Sequence, residues 1–319
     1  MVLLTLDQIK ELVRGMDLLP EIEAGFIAYS EGKAVVPPVG EMLLDKGEVH
    51  IKYGFIKGDP YYVIKVASGF YGNPAMGLPS GNGMMLLFSQ HTGSTECILL
   101  DEGYLTNVRT AVAGAIAARH LAPEGVEQIG ILGAGIQARM QLSWLKNVLP
   151  CRKALVWSLD DNELFPYQKD MQAEGFAVET TGDIARIADQ CRIIVTTTPS
   201  KTPLLLAGQL KKGTHITAVG SDTPEKQELD AAILRDADVV VADSISQCME
   251  RGEIFRATQS GMLKKEKVKE LGRVISGKET GRTSEDQITV ADLTGVAVQD
   301  IKIAAAVFEA HKARREQMK

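Results

Sequence analysis

The sequence predicts an α/β protein: a doubly wound parallel sheet joined to a second, α+β domain built from both ends of the chain. Three observations carry this. From about residue 104 onward, short apolar, β-branched runs alternate with helical patterns, which indicates a parallel sheet covered by helices on both faces. The first third instead sets two helical patterns ahead of a run of longer strands. The chain then finishes on an amphipathic helix whose apolar side has to be buried.

In chain order, helical patterns cover residues 6–16 and 19–32. The stretches EVHIKYGFIKG, YYVIKVASGF and GMMLLFSQHTGSTECILLDE read as strands, the last as a hairpin about Gln90–Gly93. YLTNVRTAVAGAIAARHLA is Ala-rich and helical. Then follow the strand VEQIGILG, the helix IQARMQLSWLKNVL, the strand KALVWSL, a helix over 162–174, the strand GFAVETT and a short helix over 183–190. The strands CRIIVTTT and THITAVGSD, a helix over 228–236 and the strand ADVVVAD continue the alternation. In the last helix Val298, Ile301, Ala305 and Phe308 share a side, and Lys312, Arg314 and Arg315 lie where cations suit the helix dipole. Docking this helix on the early strands makes the first domain discontinuous, 1–107 with 296–319, around a dinucleotide-type domain at 108–295.

Composition narrows the functional classes. The chain has 319 residues, 45% of them hydrophobic and 24% charged, with a net charge of −6. A mildly acidic chain without a basic block is a poor nucleic-acid or anionic-membrane binder. No run approaches the ~18 apolar residues of a membrane span, and the N-terminus does not read as a signal peptide. The four cysteines are scattered, with no C-x-x-C and no neighbouring histidine pair. Neither a metal site nor a disulfide framework is expected; free thiols in a reducing cytoplasm are.

The residues IGILGAGIQARMQL place Gly133, Gly135 and Ala138 in the spacing G-x-G-x-x-A, after a strand and opening a helix. Gly133 permits the tight turn, Gly135 lets a pyrophosphate approach the backbone, and Ala138 packs the helix close to the strand. The free N–H groups of the helix start supply the anion site. In that βαβ context the turn reads as a Rossmann-type dinucleotide site rather than a packing feature. At the end of the next strand Ser158 takes the place of the usual ribose-binding acid, with Asp160 and Asp161 beyond it and no arginine in reach. That favours NAD, with NADP possible.

Beyond the turn, the segments YYVIKVASGFYGNPAMGLPS, LLDEGYLTNVRTAVAGAIAARHLAP, IVTTTPSKTPLL, THITAVGSDTPEKQELD and ITVADLTGVAVQDI resemble, in order, the ornithine cyclodeaminase/mu-crystallin family. The resemblance runs over essentially the whole chain. It implies a split first domain, a homodimer made through it, and NAD(P) chemistry on the C–N bond of small amino acids or cyclic imines. It further implies that Lys65 and Arg109 bind the substrate carboxylate and that Asp222, with Lys65, is catalytic. Thr110, Gly133, Gly135, Ile136, Gln137, Ser158, Thr196, Thr197, Thr198, Pro199, Gly220, Ser221, Leu293, Thr294 and Gly295 would line the cofactor. Relatives carry a basic residue shortly after the paired prolines, where this chain has Val39, Gly40 and Glu41. An acid there suits an amino or hydroxyl group on the substrate, and Lys52 would take over the basic role.

Each assignment has a plainer counterpart. A strand lysine such as Lys65 usually reaches solvent, yet alternation puts it with Tyr61 and Val63 on one face, where burial would demand an anion. Arg109 could merely pair with Asp101 or Glu102, but a guanidinium grips a carboxylate in two-pronged fashion. Asp222 could be a turn residue; its place at a strand's carboxyl end, where doubly wound sheets bind ligands, favours function. Glu228 and Asp230 read as the start of the next helix. His50, His91, His120, His215 and His311 show no ligand spacing, and only His50 falls near the expected pocket.

The expected activity is therefore an NAD(P)-dependent oxidoreductase of the ketimine/pyrroline-carboxylate reductase or amino-acid dehydrogenase type, acting on a small amino-acid or imino-acid substrate. The alternatives are an ornithine cyclodeaminase-type ammonia lyase using bound NAD, and a non-catalytic, crystallin-like NAD(P)-binding protein.

Overall fold

The computed structural model describes residues 1–70 and 72–317. The chain divides into two compact units, Met1–Arg109 with Val296–Lys319, and Thr110–Gly295.

In the first unit, β1 (Val2–Thr5) leads into α1 (Leu6–Val13) and α2 (Leu19–Ser30). Then come β2 (Ala34–Val35), β3 (Gly40–Leu44), β4 (Gly47–Ile56), β5 (Tyr61–Gly69), β6 (Gly81–Ser89) and β7 (Thr95–Leu100); α3 (Tyr104–Leu121) follows, its residues divided between the units at Arg109 and Thr110. The sheet order is β1-β7-β6-β5-β4-β2, with β3 also on β4. β6 and β7 form the antiparallel hairpin the sequence predicts. β1 was not read as a strand. Its four residues are too few to show a period, and what holds it is parallel pairing with β7, in which Leu4 meets Leu99.

In the second unit, β8 (Ile129–Leu132), α4 (Ile136–Leu145), β9 (Lys153–Trp157), α5 (Leu164–Ala173), β10 (Ala177–Thr180), α6 (Ile184–Gln190) and β11 (Ile193–Thr196) alternate. They continue into β12 (His215–Ala218), α7 (Ala231–Asp236), β13 (Val239–Ala242), α8 (Ile245–Cys248), α9 (Gly252–Gln259), β14 (Val268–Glu270), α10 (Leu271–Ile275) and β15 (Thr289–Asp292). The sheet order is β10-β9-β8-β11-β12-β15-β13-β14, and every described pairing is parallel. Strand order reverses between β8 and β11, the crevice where such sheets take ligands. Leu132, Leu155, Ile194, Ile216, Val240 and Val290 form the core beneath it. β15, which slots between β12 and β13, was missed because TVAD carries a single large apolar residue, Val290.

The last helix, α11 (Ala297–Gln317), belongs to the first unit and packs on α2, β4 and β5. Its buried surface is wider than the predicted stripe: Ile303, Ala304 and Val307 are as buried as Val298 and Ile301. Among the described residues no helix is long and apolar enough to cross a membrane. All four cysteines are free and buried.

Candidate functional site

Two separate groups of side chains, one in each unit, hold the residues singled out by the sequence. In the first unit, alternation along β4 and β5 turns Lys52 and Lys65 to the same face, and the register sets them directly opposite each other. Like charges so placed repel, and both are buried, with Lys65 only 2% exposed. The compensating anion is Asp300, in the first turn of α11. Lys65 Nζ donates to Asp300 Oδ1 at 3.1 Å, and Arg109 Nε donates to the same oxygen at 3.0 Å. Arg109 Nη1 also donates to Gln299 Oε1 at 3.1 Å. Arg109 therefore pairs with neither Asp101 nor Glu102, the partners considered from sequence; Asp101 accepts from the Leu105 amide instead.

The electrostatics follow from burial. It pushes the Lys65 ammonium down to about 7, with Arg109 and Lys52 adding to the effect and Asp300 opposing it. Burial also pushes the Asp300 carboxyl up, but Lys65, Arg109 and Lys52 outweigh it and hold the group below its ordinary value. Lys65 and Arg109 thus share one buried carboxylate, with the Lys52 ammonium close enough to act on it. Farther along β4 on the same face lies His50, whose Nε2 is 3.6 Å from Glu41 Oε1 and 3.9 Å from Glu48 Oε1. Glu41 faces it because β3 pairs Glu41 with His50.

Asp300 was not anticipated. The signal was present in GVAVQDIKIAA: an acid occupying a helix stripe whose other members, Ala297, Ile301 and Ala304, are buried and apolar.

In the second unit, Gly133 adopts φ +111°, a left-handed turn at the end of β8, and a Cβ there would lie 2.6 Å from Thr197 Oγ1. Gly135 is the N-cap of α4, and a Cβ on it would meet nothing within 4 Å. The turn thus presents an open approach to the amides of Ile136 and Gln137 at the start of α4, which fits a pyrophosphate. Ala138 is fully buried against the sheet. Thr197, just past the end of β11, is anchored by its amide and its hydroxyl, both donating to the Leu132 carbonyl. Thr110 accepts, through its carbonyl, a bond from Gln141 Nε2.

At the end of β9, Ser158 is buried and donates to Glu163 Oε2 at 3.1 Å. Asp160 caps the one-turn 3₁₀ helix Asp161–Glu163, accepting from the Asn162 amide. The carboxylate brought to the strand end is thus Glu163, a residue the sequence reading passed over because five positions separate it from Ser158.

Asp222 follows β12 in the loop containing Gly220 and Ser221. Its Oδ1 receives Lys226 Nζ at 2.6 Å, and its side chain is 42% exposed. Ser221 is buried and donates to the Lys226 carbonyl. Leu293, Thr294 and Gly295 follow β15. Thr294 Oγ1 donates to Asp243 Oδ1, and the Gly295 amide donates to Asp243 Oδ2 at 2.6 Å. Pro199 closes the loop after β11. Glu228 is not a helix residue: α7 starts at Ala231 with Asp230 as its N-cap, and Glu228 is fully buried ahead of it. His215, likewise buried, bonds Thr289 and Thr217 within the sheet. Among the described residues no group of His, Cys, Asp and Glu is arranged to hold a metal ion.

A model of the ornithine cyclodeaminase/mu-crystallin family matches residues 1–315. The chain belongs to this family. Within it, the chain is 42% identical to a protein of Sinorhizobium fredii named as an uncharacterized cyclodeaminase, over 97% of this chain and 95% of that one. An archaeal alanine dehydrogenase dimer with bound NAD has the same fold, with TM-score 0.91 and 32% identity over 98% of this chain and 97% of that one. The iminosuccinate reductase of Paracoccus denitrificans, solved with NAD+, is similar at TM-score 0.88 and 30% identity, again over 98% and 97%.

Proposed function

We propose that this protein is an NAD-dependent oxidoreductase that interconverts a small imino acid and the corresponding L-amino acid. The observation that carries the reading is the buried cluster in which Lys65 and Arg109 meet on Asp300, with Lys52 set opposite Lys65. These cations bind the carboxylate of a substrate, Arg109 through its planar fork and Lys65 as a point charge. Gly133–Gln137 would hold the cofactor's pyrophosphate and Thr197–Pro199 with Gly220–Ser221 its nicotinamide, which would supply or accept the hydride when bound. Asp222, half-buried on a strand-end loop, moves the proton at the substrate nitrogen, with Lys226 holding its carboxylate in place. Glu41 and His50 face the substrate's far end, where an amino or hydroxyl group is better matched than a second carboxylate.

The exposed apolar side chains of β3, Leu43 at 71% and Leu44 at 50%, support a homodimer formed through the first unit. Four buried free thiols suit a cytoplasmic location.

The test is NADH consumption with a panel of cyclic and acyclic imino acids. Turnover with at least one is expected, and Asp222→Asn should lower it roughly 10²–10⁴-fold while leaving NADH affinity within a factor of about two. The 42% identity to a protein named as a cyclodeaminase keeps a second reading in play. Conversion of ornithine to proline and ammonia without net NADH change, faster than any imine reduction, would establish it. Tight NADH binding with no turnover of either kind would instead point to a crystallin-like role.

A further inference from the structure

The ladder between β11 and β12 ends at the pair Thr196 and Ala218. Beyond it the Val219 and Gly220 amides still reach the Thr196 carbonyl, at 3.0 and 3.2 Å, before the gap between the loops Thr197–Pro199 and Val219–Asp222. The carboxylate of Glu228, fully buried, stands in that gap. Its Oε1 accepts from the Thr198 amide at 2.6 Å and the Thr198 hydroxyl at 2.8 Å. Its Oε2 accepts from the Gly220 amide at 2.9 Å and the Thr196 hydroxyl at 2.7 Å. One side chain therefore takes a backbone N–H from each loop, as the next rung of the ladder would. The approach is close: a Cβ on Gly220 would lie 2.2 Å from the Thr198 carbonyl oxygen.

Glu228 is itself fixed. Its amide and that of Leu229 donate to the buried carboxylate of Glu253, at 2.6 and 3.2 Å, and its carbonyl accepts from the amides of Leu204 and Leu205. Glu253 opens α9, and the next amide along, that of Ile254, donates to Asp292 Oδ2 at the end of β15. The carboxylate of Glu228 thus stands on a frame reaching the far strands of the sheet.

We infer that Glu228 is a positioning residue: it sets the separation of the two loops that hold the nicotinamide and carry Asp222. The inference rests on the cofactor reading above and adds to it a residue that touches neither cofactor nor substrate. It also explains why no other side chain would serve. Each oxygen of Glu228 faces one backbone N–H that cannot turn away, so an amide in its place must aim its NH₂ at a second donor whichever way it is flipped. The two threonine hydroxyls can rotate, but the two amides cannot.

The experiment compares binding of NADH and of ADP-ribose, which lacks the nicotinamide, to the wild-type chain, Glu228→Gln and Thr196→Val. Thr196 is fully buried, and valine keeps its shape while removing one donor to Glu228. In Glu228→Gln, NADH should bind at least about tenfold more weakly with ADP-ribose affinity unchanged, the scale of a lost hydrogen bond to a charged group. Thr196→Val should show the same split with a smaller, several-fold loss, and it decides the matter alone if Glu228→Gln does not fold. Equal losses for NADH and ADP-ribose, or no loss for either, would overturn the inference. A wild-type chain that binds neither ligand would overturn the cofactor reading and this inference with it.

Discussion

The two units bury charged groups that meet different kinds of partner. In the first unit Lys65 and Arg109 converge on Asp300, side chain against side chain, with Lys52 opposite Lys65. In the second unit Glu228, Glu253, Asp243 and Asp292 are each met by backbone amides. Backbone donors are fixed by the fold and remain in place whether or not a ligand arrives, so these acids stabilise loops. The cations are met by side chains instead, Lys65 and Arg109 by Asp300 and Arg109 also by Gln299. Burial of a charge is common to both regions; what distinguishes them is whether the partners are side chains or fixed backbone donors.

The sharpest way to break this comparison is to remove the carboxylate that Lys65 and Arg109 share. Asp300→Asn takes it from both buried cations and should cost about 3–5 kcal/mol, lowering the melting temperature by on the order of 10 °C. A melting temperature within about a degree of wild type would mean the cations are hydrated and the contrast is false. Next is Arg109→Ala, which should weaken transition-state binding by roughly 2–5 kcal/mol, a loss of hundreds-fold or more in kcat/KM for the imino acid. Unchanged steady-state kinetics would remove Arg109 from the site.

A proton-linkage measurement sharpens the contrast further. The folded Lys65 titrates at about 7, against 10.5 for an ordinary lysine. Between those values the unfolded chain binds the extra proton, so this group's contribution to stability rises with pH across that window. A bound carboxylate works the other way, favouring the charged ammonium. Above pH ~7 substrate binding should therefore take up a proton and weaken by up to about tenfold per pH unit. Calorimetry in buffers of different ionisation enthalpy checks this; a flat affinity between pH 6 and 9 would contradict it.

The smallest effect concerns the cofactor's ribose. With Glu163 beside Ser158 and Asp160 next to it, NADH should bind several-fold more tightly than NADPH, and Glu163→Ala should narrow the ratio. Equal or tighter NADPH binding, measured by fluorescence titration, would place the carboxylates elsewhere.

Most of the doubly wound sheet was legible because its strands are short, apolar and separated by helical periods, signals confined to adjacent residues. Lys65 was legible for the same reason, its burial following from alternation along YYVIKV. What escaped the sequence are residues whose meaning depends on distant partners. Asp300 matters because α11 returns to β5, 235 positions away in the chain. Glu228 looked like a helix start because ELD resembles a capping sequence, and only the convergence of two strand ends gives its carboxylate another use. β1 was hidden too, since its partner β7 lies far downstream. Local pattern records what a segment can become; long-range pairing decides what it does there.

The placement of α11 has a bearing on how the molecule comes into being. Synthesis proceeds from the N-terminus, and domains fold as units as they emerge. The second unit is contiguous and can fold once residue 295 is clear, whereas the first unit waits, with Lys65 and Arg109 already made but their counter-ion not yet translated. During that interval β4 and β5 carry two facing lysines without the Asp300 carboxylate. The nascent sheet should therefore stay loosely formed until the closing helix arrives, which makes the last segment of the chain the trigger for the first segment's folding.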